Sequence, residues 1–143
     1  MSGLDDVADT LELLDRNDRI DFLIDIADRF HEVPGEIATR PFGDEHKVPA
    51  CESEAYVWAT GRTDGTLDFH FAVENPQGIS AKAMAVLLGE HLSGAPLEEV
   101  EALDGEIVYK IFGRELSMGK TMGLMGMVSM VASSAKKAQT RIA

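Results

Sequence analysis

Among 143 residues there is one cysteine, Cys51, and its setting is the first place where the sequence offers chemistry. Pro49 stiffens the backbone two residues earlier, and the neighbours Ala50, Glu52 and Ser53 are not a hydrophobic run. That setting predicts a loop tip or loop edge. A free cysteine behaves either as a small buried hydrophobe or, where a loop displays it, as a nucleophile governed by access and thiolate fraction. Position alone leaves both readings open. The lone thiol does exclude an internal disulfide and any two- or four-cysteine metal site within the chain. Its chemistry is that of one sulfur acting alone or with another molecule.

Other chemically able residues are less organised. His46 and Cys51 offer two metal ligands, but no recognisable second pair accompanies them, and His31, His70 and His91 are scattered. A cysteine hydrolase pairing Cys51 with His70 or His91 satisfies residue type alone, without a glycine pattern that would mark a nucleophile turn. His70 stands between Phe69 and Phe71 and is expected on the opposite strand face, as a solvated or sheet-covering ring. Gly119-Lys120 matches the end of a phosphate loop, but position 114 holds Arg where that motif requires Gly. Met118, Met122, Met125, Met127 and Met130 crowd the last helix, and their shared spacing with Val128 and Val131 favours core over an adaptable binding stripe.

The elements that must position Cys51 follow from periodicity. Leu4, Val7, Leu11 and Leu14 predict a short amphipathic helix over 4–15. A second, capped near Asn17 or Asp18, carries Ile20, Leu23, Ile24, Ala27 and Phe30 on one face and ends before Pro34-Gly35. Three prolines and two glycines between 34 and 50 predict a loop region with room for one short strand. Ala55, Val57 and Ala59 then alternate with Tyr56, Trp58 and Thr60. After the turn Arg62-Thr63-Asp64-Gly65, the alternation resumes at Leu67, Phe69, Phe71 and Val73, which predicts a hairpin. Asn75-Pro76-Gln77-Gly78 breaks the chain before a helix over 80–92, whose buried stripe is Ala81, Met84, Ala85, Leu88 and Leu92. A short helix over 96–103, an ambiguous helix or turn over 106–116, and a long helix from about Lys120 to Arg141 complete the chain. Helices, hairpin, helices in that order predict an α+β fold, a short antiparallel sheet with helices packed on one face. The length predicts a single domain over 1–143.

Charge narrows the partners. Twenty-five acids against thirteen bases leave −12, which argues against nucleic acid or anionic lipid. Residues 1–32 hold ten acids and three bases, whereas residues 107–143 hold six bases and one acid. The excess reads either as an acidic, salt-tolerant soluble protein or as a face that meets a basic partner. No segment reaches the ~20 apolar residues of a membrane span, and the acidic opening Met-Ser-Gly-Leu-Asp-Asp is unlike a basic targeting peptide. A cytoplasmic protein is expected.

Val48-Pro-Ala-Cys51-Glu-Ser53-Glu-Ala-Tyr56 resembles the SufE family of sulfur acceptors, whose pattern there is Val-x-Gly-Cys-x-Ser-x-Val-Trp. Ser80-Ala-Lys82-Ala-Met-Ala-Val-Leu-Leu and Leu92-Ser-Gly94-Ala-Pro96 are similar to the family's middle helix and the turn after it. Leu116-Ser117-Met-Gly-Lys120-Thr-Met-Gly123-Leu124 is similar to its Leu-Ser-x-x-Arg-x-x-Gly-Leu. The resemblance spans roughly residues 10–138, and its strength is four short motifs in the right order. Ala50 stands for the family glycine, Tyr56 for tryptophan, Asn75 for aspartate and Lys120 for arginine.

The resemblance implies a SufE/IscU-like fold and a sulfur relay, with Cys51 as persulfide acceptor and Ser53, Asn75 and Lys120 as its support. The implied partners are a pyridoxal-phosphate-dependent cysteine desulfurase, which the chain would stimulate, and an Fe–S scaffold complex downstream. The role is that of a covalent sulfur carrier and activator rather than a stand-alone enzyme. The chain itself would need neither metal nor cofactor. A carrier of the same fold serving a desulfurase of another pathway fits the same residues, and a cysteine hydrolase fits less well.

Overall fold

The computed structural model describes residues 3–142. Six helices and one hairpin follow in the order α1 (Gly3–Leu13), α2 (Arg16–Ala27), β1 (Ala55–Gly61), β2 (Leu67–Val73), α3 (Ile79–Leu92), α4 (Leu97–Glu101), α5 (Ile107–Phe112) and α6 (Met118–Ile142). The fold is α+β, with a two-stranded antiparallel sheet. Register runs from Ala55 opposite Val73 to Gly61 opposite Leu67. The predicted strand in the 34–50 loop reduces to one bridge, Lys47 to Tyr56, after a 3-10 turn over Asp44–His46.

α3 is the centre. Ala81, Ala83, Met84, Ala85, Val86, Leu87, Leu88 and Leu92 are all buried, so the helix is apolar nearly all round and accepts neighbours on every side. α2, β2, α6 and α1 pack against it. α6 contributes Leu124, Met127, Val128, Val131 and Ala135, a stripe at helical spacing that belongs to the same core. Met127 is therefore core and Met125 and Met130 pack against it, but Met118 and Met122 stand 78% and 53% exposed.

Several boundaries differ from the sequence expectation: α1 ends at Leu13, α4 is confined to Leu97–Glu101, and α6 begins at Met118. α2 starts at Arg16 because Asp15, in extended conformation, accepts the Asp18 N–H at 2.9 Å, so the cap lies ahead of Asn17 and Asp18. The ambiguous stretch 106–116 forms α5 and then an irregular link through Gly113, where φ is 78°. The face of the sheet turned away from the helices is covered by the loop that follows α2. Val33, Trp58 and Ala72 form a second cluster with Ile37, Ala38, Phe42 and Tyr56. Trp58 is sealed by Phe42 edge-on at 4.9 Å and by the stacked His46 ring at 5.2 Å.

Candidate functional site

The segment between the Asp44–His46 turn and β1 is pinned at both ends. Val48 is buried and its N–H donates to the Ala55 carbonyl at 2.8 Å. Glu74 N–H donates to the Glu54 carbonyl at 3.2 Å and Asn75 N–H to the Ser53 carbonyl at 3.1 Å, so main-chain pairing continues past the hairpin. Between these anchors the chain turns sharply, with Glu54 N–H donating to the Cys51 carbonyl at 3.1 Å. Ala50 and Glu54 adopt φ of 57° and 52°, the left-handed region that side chains disfavour. Cys51 thus sits inside a tight, strained excursion, half-buried against the main core. The thiol is therefore both on a loop and partly packed.

Cys51 lines two hollows. An inner pocket of about 180 Å³ is walled by Cys51, Ser53, Gln77, Ile79, Ser80 and Lys120, among others. An outer, open hollow of about 640 Å³ lies along Lys47, Pro49, Glu52 and Glu54. Helix geometry gives the inner pocket its electrostatics. The start of α3 has no side-chain cap, and the N–H groups of Ser80 and Ala81 find no acceptor among the described residues. Uncapped N–H groups at a helix start carry partial positive charge toward whatever faces them. The start of α6 reaches the same pocket, with Lys120 N–H donating to the Ser117 hydroxyl at 3.2 Å. Lys120 makes no ion pair among the described residues, while Glu52 brings one negative charge to the wall.

The structure therefore brings Cys51, Ser53 and Lys120 together and leaves Asn75 out. The Asn75 side chain accepts the Gln77 N–H at 2.9 Å, so its place is in the turn leading to α3, outside both hollows. Among the described residues no histidine lines either hollow. His46 bonds the Val57 carbonyl through Nδ1 at 3.0 Å, and His70 bonds the Thr60 hydroxyl at 3.1 Å. No histidine thus shares a hollow with the Cys51 thiol, and no group of three His, Cys, Asp or Glu able to hold a metal occurs among the described residues.

The sequence reading missed the walls. Gln77, Ser80 and Glu52 stood within recognisable stretches without being assigned to the site, and Ile79 was not singled out. Glycine spacing offered the missed signal. Gly119, Gly123 and Gly126 recur at four and three residues within α6, where each glycine costs about 1 kcal/mol relative to alanine, so their presence asks for a close approach. The loop of Cys51 is what approaches.

Comparison with known proteins matches the chain to a family. The SufE profile, described as an Fe-S metabolism associated domain, matches residues 5–135. No curated protein matches. A solution structure of a hypothetical protein from Thermus thermophilus superposes with a TM-score of 0.72 at 22% identity, over 96% of each chain, and shows the same fold. Among the described residues no helix is long and apolar enough to cross a membrane. With the family profile covering the helices, the hairpin and the Cys51 loop alike, the chain belongs to the SufE family and has a general role in Fe–S metabolism.

Proposed function

We propose that the chain is a sulfur carrier that takes persulfide sulfur from a pyridoxal-phosphate-dependent cysteine desulfurase onto Cys51, stimulates that enzyme and passes the sulfur to an Fe–S scaffold complex. It works as a single domain in the cytoplasm. The observation that carries this reading is the placement of the chain's one thiol between an inner pocket at two helix starts and an outer hollow open to a partner.

The step is a thiolate displacement. The Cys51 Sγ anion attacks the outer sulfur of the donor's persulfide; a new S–S bond forms, the donor's S–S bond breaks, and the donor leaves as a thiolate with the electron pair. Oxidation levels balance without an added oxidant. Persulfide remains on Cys51 because no second thiol in the chain can discharge it. Its terminal sulfur, an anion, is favoured by the Lys120 ammonium and by the Ser80 and Ala81 N–H groups. Lys120 offers point charge where an arginine would offer a planar fork. Ser53 stands in the same wall and can donate its hydroxyl to the terminal sulfur. The rim adds apolar surface for a partner, since Ile79 is 45% exposed at the pocket.

The test is Cys51→Ser, assayed as sulfide release by a desulfurase with free cysteine and a reductant. Stimulation is expected to fall to the rate of the desulfurase alone, while the urea midpoint stays near that of the parent chain. Full stimulation by the serine variant would overturn the relay.

A further inference from the structure

We propose that Gly123 is a positioning residue for this chemistry: by carrying no side chain it sets the depth at which the Cys51 thiol is held against α6. The inference rests on the reading of Cys51 as the sulfur acceptor. A Cβ at position 123 would lie 3.0 Å from Cys51 Cα, 3.2 Å from its Cβ and 3.2 Å from its Sγ. Carbon–carbon contacts in packed interiors settle near 3.5–4.0 Å, so a methyl group at this position requires something to move.

Neighbouring glycines show why the requirement is specific. At Gly119 the obstructing group would be the carboxylate end of Glu52, which can swing into solvent. At Gly126 it would be Val48 Cγ1 at 2.9 Å and the Pro49 carbonyl oxygen at 3.4 Å. Only at Gly123 does the obstruction include Cys51, and it includes the main-chain Cα that no rotamer change can clear. α6 cannot retreat, because Leu124, Met127 and Val128 tie it into the buried core. Nor can the loop slide along the helix, since the pairings of Ser53 and Glu54 with Asn75 and Glu74 hold its far end. What remains is displacement of Cys51 away from α6, toward the outer hollow.

The experiment alkylates Cys51 with iodoacetamide in the full chain, across a pH range that reaches full ionisation, and reads the plateau rate, which reports access alone. Gly123→Ala is expected to raise the plateau about threefold or more, and Gly119→Ala to leave it unchanged. A plateau for Gly123→Ala equal to or below the parent's overturns the proposal. Folding is checked by urea unfolding in the parent and in a Cys51→Gly background, where two of the three obstructing atoms are gone. The midpoint loss caused by Gly123→Ala is expected to be smaller there. Equal losses, or failure to fold in both backgrounds, overturn the proposal, whereas folding regained with Cys51→Gly supports it. No desulfurase takes part, so a failure here is distinct from stimulation persisting in Cys51→Ser.

Discussion

Ala50 carries φ of 57° immediately before Cys51. An alanine in the left-handed region costs roughly 1–2 kcal/mol from its Cβ against the following carbonyl, and glycine avoids that cost. The sequence already placed Ala50 where the family uses glycine, but residue type could not say why; the reason is a backbone angle, and angles are not written in composition. Ala50→Gly also frees the unfolded chain, which offsets part of the gain. The expected outcome is stabilisation by about 0.5–1 kcal/mol in urea unfolding. A loss of stability would mean that the Ala50 methyl contributes packing that outweighs its strain. Cys51 itself was legible as a loop residue because Pro49, Glu52 and Ser53 surround it, but its half-burial was not, since the covering surface comes from Gly123 and Leu124 more than 70 residues away.

At the scale of elements, periodicity carried most of the fold. The hairpin was legible from strict alternation, and α3 and α6 from apolar spacing sustained over several turns. Legibility failed where an element is short or depends on distant partners. α5 has six residues, too few for a period to declare itself. The loop after α2 was readable as a loop from its prolines, yet its packing over Trp58 through Val33 and Phe42 is a tertiary fact. The start of α2 shows a third kind of failure. Asp15, Asn17 and Asp18 are all good caps by type, and the choice falls on the one whose extended backbone aims its carboxylate at the N–H three residues on. Asp15→Ala is therefore expected to cost about 1 kcal/mol in unfolding free energy, and Asn17→Ala much less. Equal costs for the two would place the cap elsewhere.

For the whole molecule, the uneven charge seen in the sequence is partly closed by ion pairs that staple separate elements. Lys110 at the end of α5 meets Asp9 of α1 at 3.2 Å, and Arg40 clasps both Glu32 and Glu74 between the loop and the end of the hairpin. Arg29, just past α2, forms a two-pronged pair with Glu90 of α3 at 3.1 and 2.9 Å. Hydrogen bonding from Arg29, with its charge and that of His91, holds the Glu90 carboxyl below the usual carboxylate range against a smaller opposing effect of burial. The sign of the linkage follows. A carboxyl whose folded-state pKa is depressed stabilises the fold above its unfolded pKa and loses that contribution as pH falls through the folded one. Both partners are about half exposed, so the pair is worth only about 0.5 kcal/mol. Glu90→Gln is accordingly expected to be less stable than the parent by about that amount at neutral pH. The gap should stay flat down to the ordinary carboxylate range, then close as the solution becomes more acidic than the folded pKa of Glu90. Taking the difference between the two chains at each pH removes most of the changing self-repulsion of a molecule with net charge −12. Urea unfolding of both chains along an acid series measures it. A gap that persists undiminished at about pH 2 would show that Glu90 acts through packing, with no contribution from its charge.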